Sequence, residues 1–205
     1  MKKHVIGILF VVCATFISYM TIAKAEEFHW GFKPSRNAEP VEIGEPLESL
    51  LENYGAIYKE KTEKKVVYLT FDNGYENGFT ERILDALKEE DVPATFFLTG
   101  HYVTSASDLV KRMVKDGHII GNHSDKHPNM ARLSEAQMLT EWQNFDKKLK
   151  EVTGLERTYY TRPPEGVYNE ALLAAGAKNN YRHIFWSIAF KDWEKDVRRG
   201  GDYAY

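Results

Sequence analysis

The amino-acid sequence predicts an α/β fold built on a parallel sheet, and two patterns support this prediction. Five short segments are almost continuously apolar or β-branched, as expected of strands buried on both faces of a sheet. Between them lie segments whose apolar residues recur at helical spacing. Strands that alternate with helices form parallel sheets with right-handed crossovers, so this arrangement is predicted for the chain.

The size and composition of the chain are those of one globular domain without a strong overall charge. It has 205 residues, of which 43% are hydrophobic and 28% are charged, and its net charge is −3. Domains of this length bury a sizeable core. Because the charge balance is close to neutral, we expect no nucleic-acid partner and no attraction to an anionic membrane.

The first 25 residues are predicted to be a secretory signal peptide. Lys2 and Lys3 precede an apolar stretch at residues 5–20, and Ala-Lys-Ala before residue 26 fits a cleavage site after Ala25. The alternative is an uncleaved membrane anchor, for which the apolar stretch is short. Cys13 lies inside this segment, so the secreted protein would have no thiol for disulfides, metal ligation or catalysis.

Residues 26–64 are predicted to form an N-terminal arm that ends in one short helix at LESLLENYGAIY. Its aromatic residues Phe28, Trp30 and Phe32 are expected to pack on the domain. The remaining residues, 65–205, form the predicted main domain. Its strands are predicted at residues 66–71, 94–100, 118–124, 158–162 and 183–190, and its helices at residues 80–90, 107–117 and 134–152.

Two of these helices carry end signals in the sequence. Gly117 is placed as the C-cap of the second, because glycine adopts the left-handed conformation that ends many helices. Ser134 and Gln137 form the pattern of a capping box at the start of the third.

Polar side chains follow three of the predicted strands. Asp72, His123 and Arg162 stand at the strand ends, and reactive residues of parallel sheets collect at the carboxyl ends of strands. His123 and His127 are four residues apart, and Pro128 favours a turn over a helix there. Two converging imidazoles make a candidate site for Zn2+ or a similar ion. The alternative is a pair of surface histidines in a polar loop.

Asp72 has two interpretations. The sequence Asp-Asn-Gly is a good turn, so the carboxylate could simply cap that turn. Arg162 could instead pair with Asp72 and orient its carboxylate for catalysis, although a purely structural salt bridge would have the same sequence. Pro163 and Pro164 stiffen the segment after Arg162.

The motifs TFDNG, HSDKHP and RPPEG, followed by an Asp-Trp pair, resemble the polysaccharide deacetylase family, also called the NodB-homology or carbohydrate esterase 4 domain. HWGFKPS and LTFDNGYENG are similar to its delta-lactam-biosynthetic branch, and the resemblance extends over residues 28–205. It implies a distorted, incomplete (β/α) barrel.

The resemblance also implies roles for individual residues. Asp72 would be the general base, His123 and His127 metal ligands, and Arg162 the residue that orients the base. Asn73 stands at the third ligand position, where the family usually has an aspartate but this branch shares the asparagine. A neutral amide there would leave the metal site with less charge and weaker binding.

Four further residues receive roles from the same resemblance. The backbone amide of Glu165, before Gly166, would help to hold the oxyanion. Asp192 and Trp193 match the family's support for an acid-catalyst histidine, which lies in a later Leu-x-His motif. Because this sequence ends at GGDYAY without that motif, we expect a chain truncated at its C-terminus, weak or inactive as given, with its last strand an unpaired apolar edge.

The resemblance implies hydrolytic removal of N-acetyl groups from peptidoglycan, on N-acetylmuramic acid during formation of the spore-cortex muramic delta-lactam. Zn2+ is the expected ion, ahead of Mn2+, Mg2+ and Co2+. Peptidoglycan glycan strands are the expected partner of a secreted monomer without a membrane anchor after signal cleavage. The alternatives are a deacetylase of chitin-like or xylan polysaccharides, and a glycan-binding protein without catalysis.

Overall fold

A computed structural model describes residues 26–33, 41–60, 62 and 64–189. The predicted signal peptide, Asp192 and Trp193 lie outside the described residues. The elements in chain order are β1 (Phe28–His29), α1 (Leu47–Asn53), β2 (Thr70–Asn73), α2 (Thr80–Glu89), β3 (Thr95–Leu98), α3 (Gly100–Ser105), α4 (Ser107–Lys115), β4 (Ile119–Asn122), α5 (Glu135–Thr153), β5 (Tyr160–Thr161), β6 (Val167–Tyr168), α6 (Glu170–Lys178) and β7 (Arg182–His183). Single 3-10 turns lie at Met130–Arg132 and Pro164–Gly166.

The main sheet is parallel, as the alternation of strands and helices predicts. Its five strands have the order β2-β3-β4-β5-β7, and every neighbouring pair is parallel. β1 and β6 form a separate antiparallel pair. Over the described residues the sheet is open, which agrees with a (β/α) barrel that is incomplete.

Amphipathic helices cover one face of this sheet. α2 and α4 bury Leu84, Leu87, Val110 and Met113 against the sheet, which accounts for the helical spacing in their sequences. The longest helix, α5, begins with the predicted capping box of Ser134 and ends at Gly154 in the left-handed conformation. The predicted C-cap at Gly117 is off by one position, because Asp116 caps α4 and Gly117 follows with a φ of +85°.

The N-terminal arm packs on the domain through the three aromatic residues predicted for this role. Phe28, Trp30 and Phe32 lie against a core cluster that includes Tyr168 and Phe185. α1 belongs to the same cluster through Leu51, which is buried. The arm therefore contributes to the core of the domain. Across the described residues, no helix has the length and apolar character needed to cross a membrane.

The two edges of the sheet differ from the sequence prediction. The first strand was predicted at residues 66–71, but β2 begins at Thr70, and Val66, Val67, Tyr68 and Leu69 are exposed. The pattern of buried strands fails here because β2 is an edge strand. At the other edge, β7 ends at His183, so within the predicted strand 183–190 the described residues 184–189 lie outside any strand.

The last strand is not the unpaired edge that the sequence predicts. Ile57, at the end of the arm, forms a parallel bridge with Ile184. The N–H of Ile57 donates to the carbonyl of His183 at 2.9 Å, and the N–H of Phe185 donates to the carbonyl of Ile57 at 2.7 Å. The prediction of an unpaired edge was wrong because the covering segment comes from the opposite end of the chain.

Two helices were not predicted. α3 is only six residues long and contains β-branched residues and a glycine, so its periodicity is too short to detect. α6 begins where the Asn169 side chain accepts a hydrogen bond from the N–H of Leu172. In α6, Gly176 is needed because a Cβ there would lie 2.4 Å from Nε2 of the buried His183.

Candidate active site

Asp72 is the third residue of β2. The sequence prediction had placed it just past the end of that strand. It is in register with Phe97 of β3, which is in register with Gly121 of β4. Residues in register share a face of the sheet, so the three side-chain positions lie on the same face. The carboxylate is partly accessible, with 36% of the side chain exposed.

Arg162 binds Asp72 directly. Its Nη1 lies 2.7 Å from Oδ1 of Asp72 and also donates to Oγ1 of Thr70 at 3.0 Å. The other guanidinium nitrogens donate to backbone carbonyls, Nε to Ile184 at 3.1 Å and Nη2 to Phe185 at 3.3 Å. Burial lowers the pKa of Arg162 and the Asp72 carboxylate opposes this shift. These bonds hold one oxygen of Asp72 in place.

The guanidinium of Arg162 rests on an aromatic ring. Its Cζ lies 4.2 Å from the ring centroid of Phe97, a cation–π arrangement. Gly121 makes room for that ring, because a Cβ at Gly121 would lie 2.4 Å from Cδ1 of Phe97. Phe97 and Gly121 thus support Arg162 from the centre of the sheet, and no motif in the sequence indicates this role.

His123 is buried directly after β4, with its ring oriented by Arg162. Its Nδ1 lies 2.8 Å from the backbone carbonyl of Arg162 and must donate there, since a carbonyl only accepts. Nε2 then carries the lone pair and lies 4.0 Å from Oδ2 of Asp72. Burial lowers the pKa of His123, which favours the neutral ring. A ring nitrogen bonded to a carbonyl, with the other nitrogen free, is the usual state of a metal-ligating histidine.

His127 lies beside His123 in a turn, as the Pro128 signal predicts. The two ring centroids are 4.9 Å apart and the rings are close to perpendicular. The N–H of His127 donates to Oγ of Ser124 at 2.9 Å, and both residues have a positive φ. The tight turn brings an exposed imidazole next to the buried one.

Asn73 presents an unsatisfied acceptor at the end of β2. Its Oδ1 is buried and has no hydrogen-bond partner. Asn73 is in register with Leu98 and Asn122, and successive residues of a strand point to opposite faces of the sheet, so Asn73 and Asp72 lie on opposite faces. The role of Asn73 as a metal ligand therefore stays a prediction. Within the described ranges, no three His, Cys, Asp or Glu side chains form a metal-holding group. The two neighbouring imidazoles of His123 and His127 are ligands of the kind that a divalent cation such as Zn2+ accepts.

Glu165 and Gly166 lie in the turn that follows Arg162. Glu165 is exposed and has a φ of +59°, and the N–H of Gly166 donates to the carbonyl of Pro163 at 3.1 Å. The amide of Gly166 is therefore engaged, which leaves the amide of Glu165 as the oxyanion donor to test. The predicted roles of Asp192 and Trp193 fall outside the described residues.

Other buried contacts at the site could not be inferred from motifs. The hydroxyl of Thr70 and the carbonyl groups of Ile184 and Phe185 bind Arg162 from two sides. Asn122 shapes the histidine turn, since its Oδ1 accepts from the N–H of Ser124 at 2.9 Å. Backbone carbonyls leave no trace in a sequence, whereas Asn122 directly precedes His123 in the sequence and could have been noted.

Comparison with known proteins begins with a family model. The model described as polysaccharide deacetylase matches residues 59–184, a range that contains Asp72, His123, His127 and Arg162.

Two relatives can be compared in sequence. Peptidoglycan-N-acetylmuramic acid deacetylase PdaA of Bacillus subtilis is 44% identical over 180 residues, which is 88% of this chain and 68% of that protein. A chitooligosaccharide deacetylase of Bradyrhizobium is 33% identical over 150 residues, which is 73% of this chain and 67% of that protein.

Solved structures agree with these matches. The structure of Bacillus subtilis PdaA, described as a family 4 carbohydrate esterase, matches with a TM-score of 0.82 over 87% of this chain and 76% of that one. A family 4 carbohydrate esterase from Bacillus anthracis, 44% identical, matches with a TM-score of 0.74 over 82% of this chain and 77% of that one.

Proposed function

The chain belongs to the polysaccharide deacetylase family, carbohydrate esterase family 4, and from this membership we propose that it removes the acetyl group from N-acetylmuramic acid in peptidoglycan. The 44% identical relative is named for this substrate. The relative named for chitooligosaccharides is less similar, at 33% identity, so the muramic acid substrate is preferred over chitin-like glycans.

The arrangement of Asp72 between Arg162 and His123 is the observation that carries the proposal. Arg162 occupies Oδ1 of Asp72 at 2.7 Å and so leaves Oδ2 directed toward His123 at 4.0 Å. A carboxylate with one oxygen fixed and the other free is suited to accept a proton from an attacking water. A glycan-binding protein without catalysis would have no need for this oriented pair.

Amide hydrolysis then proceeds with Asp72 as the general base. It accepts a proton from water while the water oxygen forms a bond to the acetyl carbonyl carbon. The carbonyl double bond opens to an oxyanion, which re-forms the double bond as the carbon–nitrogen bond breaks. The sugar nitrogen takes up the proton that Asp72 accepted, and the acetyl group leaves as acetate. The backbone amide of Glu165 is proposed to donate to the oxyanion, an interaction that typically contributes about 10²–10³ in rate.

We also propose that the enzyme depends on a divalent cation, Zn2+ first and Mn2+, Mg2+ or Co2+ as alternatives. His123 and His127 would hold it, and Asn73 could add its unsatisfied oxygen. A bound cation would polarise the acetyl carbonyl and lower the pKa of coordinated water. The neutral His123 ring, oriented by the carbonyl of Arg162, provides the lone pair that ligation requires.

The cellular setting is part of the same proposal. The leader at residues 1–25 supports export, and the delta-lactam-branch motifs support a role in muramic delta-lactam formation in the spore cortex. The glycan strand is the proposed partner, bound by a monomer outside the cytoplasmic membrane.

The proposal is tested by measuring acetate release from muramic acid-containing glycan strands. Asp72→Asn should lower kcat by about 10²–10⁴-fold, the usual contribution of a general base. Asp108→Asn makes the same chemical change at an exposed site in α4 and should leave the rate unchanged. Equal release by the Asp72 variant and the original protein would refute the catalytic role.

Metal dependence has its own measurement. Chelation should abolish acetate release, and Zn2+ should restore it best. Calorimetric titration with Zn2+ should show one site that is lost in His123→Gln. Retention of full activity after removal of all metal would contradict this part of the proposal without affecting the role of Asp72. Faster release from chitooligosaccharides than from muramic acid strands would favour the alternative substrate.

A further inference from the structure

Trp30 of the N-terminal arm lies between two segments of the candidate active site. Its indole Nε1 donates to the backbone carbonyl of Trp186 at 2.9 Å. Its ring stacks on Phe185, with centroids 4.3 Å apart and an interplanar angle of 21°. Its backbone N–H donates to the carbonyl of Gly166 at 2.9 Å. A single residue far away in sequence thus contacts both the turn that follows Arg162 and the segment whose carbonyls bind Arg162.

The first of these segments accepts two of the four hydrogen bonds that the Arg162 guanidinium donates. The carbonyl groups of Ile184 and Phe185 accept from Nε and Nη2 of Arg162. This segment follows β7 and has two backbone bonds to neighbouring segments among those described: the N–H of Ile184 donates to the carbonyl of Thr161 at 2.8 Å, and the N–H of Phe185 donates to the carbonyl of Ile57 at 2.7 Å. Because few backbone hydrogen bonds hold residues 184–186, the position of the two carbonyls depends on how Phe185 and Trp186 are packed.

The second segment is the turn that contains the proposed oxyanion donor. Gly166 lies so close to the indole residues that a Cβ on it would lie 2.8 Å from Cβ of Trp30 and 2.7 Å from Cη2 of Trp186. The bond from Trp30 to the carbonyl of Gly166 fixes the turn immediately after Glu165. The backbone of Trp30 therefore holds the turn at Gly166, while its indole holds Phe185 and Trp186.

We propose that Trp30 is a positioning residue: by binding Phe185 and Trp186, its indole fixes the carbonyls of Ile184 and Phe185 that orient Arg162, and through Arg162 it fixes Asp72. The inference rests on the proposed function for its effect on rate. It gives the N-terminal arm a part in the reaction, although the arm contributes no group that touches the substrate.

The test compares Trp30→Ala and Trp30→Phe in the full chain. The first experiment measures kcat and KM for acetate release. The second measures the rate of solvent exchange of the Arg162 Nε–H by 15N NMR. The NMR signal is assigned by its loss in Arg162→Lys. Trp30→Ala should speed this exchange and lower kcat by about 10- to 100-fold, since misplaced groups cost up to about 10²-fold, with KM little changed.

Trp30→Phe should have an intermediate effect. It retains a ring to stack on Phe185 and lacks the indole donor, so kcat should fall by about 3- to 10-fold, corresponding to one lost hydrogen bond. Partial recovery relative to Trp30→Ala would show that the ring at position 30 contributes to the rate, and the comparison with a destabilised control separates this from general destabilisation. If Trp30→Ala does not fold, the kcat and the Arg162 exchange rate of Trp30→Phe are sufficient to test the proposal.

Phe28→Leu is the matched control. Phe28 belongs to the same arm and packs on Tyr168 at a centroid distance of 5.5 Å. It should lower the melting temperature while kcat and the Arg162 exchange rate stay as in the original protein. The proposal is overturned if Trp30→Phe has the kcat and the exchange rate of Phe28→Leu. If the original protein releases no acetate, the proposed function fails, and the Arg162 exchange rates still decide whether Trp30 positions Arg162.

Discussion

The two edges of the parallel sheet differ in how they are covered. At the β2 edge, four apolar residues before Thr70 are exposed, and Val67 has 74% of its surface accessible. At the β7 edge, Ile57 bridges Ile184, and the aromatic residues of the N-terminal arm pack over Phe185. One edge is thus open over the described residues, and the other is closed by a distant part of the chain.

The active site joins these two regions. Asp72 stands on the open edge strand, while Arg162 follows β5 and is held by carbonyls from the closed edge. This difference indicates which edge of the sheet fixes the orientation of the Asp72 carboxylate. Asp72, the proposed general base, is bound by the guanidinium of Arg162, and two bonds of that guanidinium go to the closed edge, at the carbonyls of Ile184 and Phe185.

Replacing Arg162 should have the largest effect, because it removes the link between the two edges. Arg162→Leu leaves Asp72 without its orienting partner and leaves buried carbonyls without donors. We expect kcat to fall by about 10²-fold and the free energy of unfolding to fall by about 3 kcal/mol. Acetate release and urea denaturation measure the two effects.

Arg112→Leu provides the matched control for this change. Arg112 pairs with Asp85 and Asp116 on the surface of α4, at 2.7 and 3.1 Å. Partly exposed ion pairs contribute little, so its loss should cost about 1 kcal/mol or less and leave kcat unchanged. Equal effects of the two substitutions would show that Arg162 has no special part in linking the edges.

The closed edge should also show a characteristic dependence on pH. Burial lowers the pKa of His183, in β7, to about 4 from the ordinary 6.5. Below pH 6.5 the unfolded chain takes up a proton that the folded chain does not, so stability falls as the pH drops from 6.5 to 4. The expected loss is about 3 kcal/mol.

His183→Leu isolates this contribution from the other acidic and basic groups. Unfolding free energies of both proteins are measured at intervals between pH 7 and pH 4. The variant should lose less stability over this interval than the original protein. Parallel curves would contradict a buried neutral histidine at the closed edge.

The open edge should be nearly insensitive to substitution. Val67→Lys places a charge where the side chain is already exposed, and the free energy of unfolding should change by about 0.5 kcal/mol or less. Val167→Lys makes the same change in β6, where the side chain is 1% exposed, and should cost about 3 kcal/mol or more. A comparable cost at Val67 would mean that the β2 edge is covered in the folded protein.

Much of the sheet and of the site was predictable because its signals are local. The helices α2, α4 and α5 repeat apolar residues over at least two turns, and the capping box of Ser134 marks the start of α5. The motifs around Asp72, His123 and Arg162 follow successive strands, and parallel strands place their carboxyl ends together. α3 and α6 were missed because neither carries a long periodic signal.

The sequence by itself determined the alternation of strands and helices, the family, and the residue types that meet at the strand ends, because periodicity and motifs are properties of neighbouring residues. The tertiary structure alone decided which edge is open, how Ile57 and Trp30 close the other, and which carbonyls hold Arg162. These contacts join residues that are far apart in the sequence, 22 positions for Arg162 and Ile184 and 156 for Trp30 and Trp186, and most use backbone groups that every residue possesses, so no local pattern can encode them.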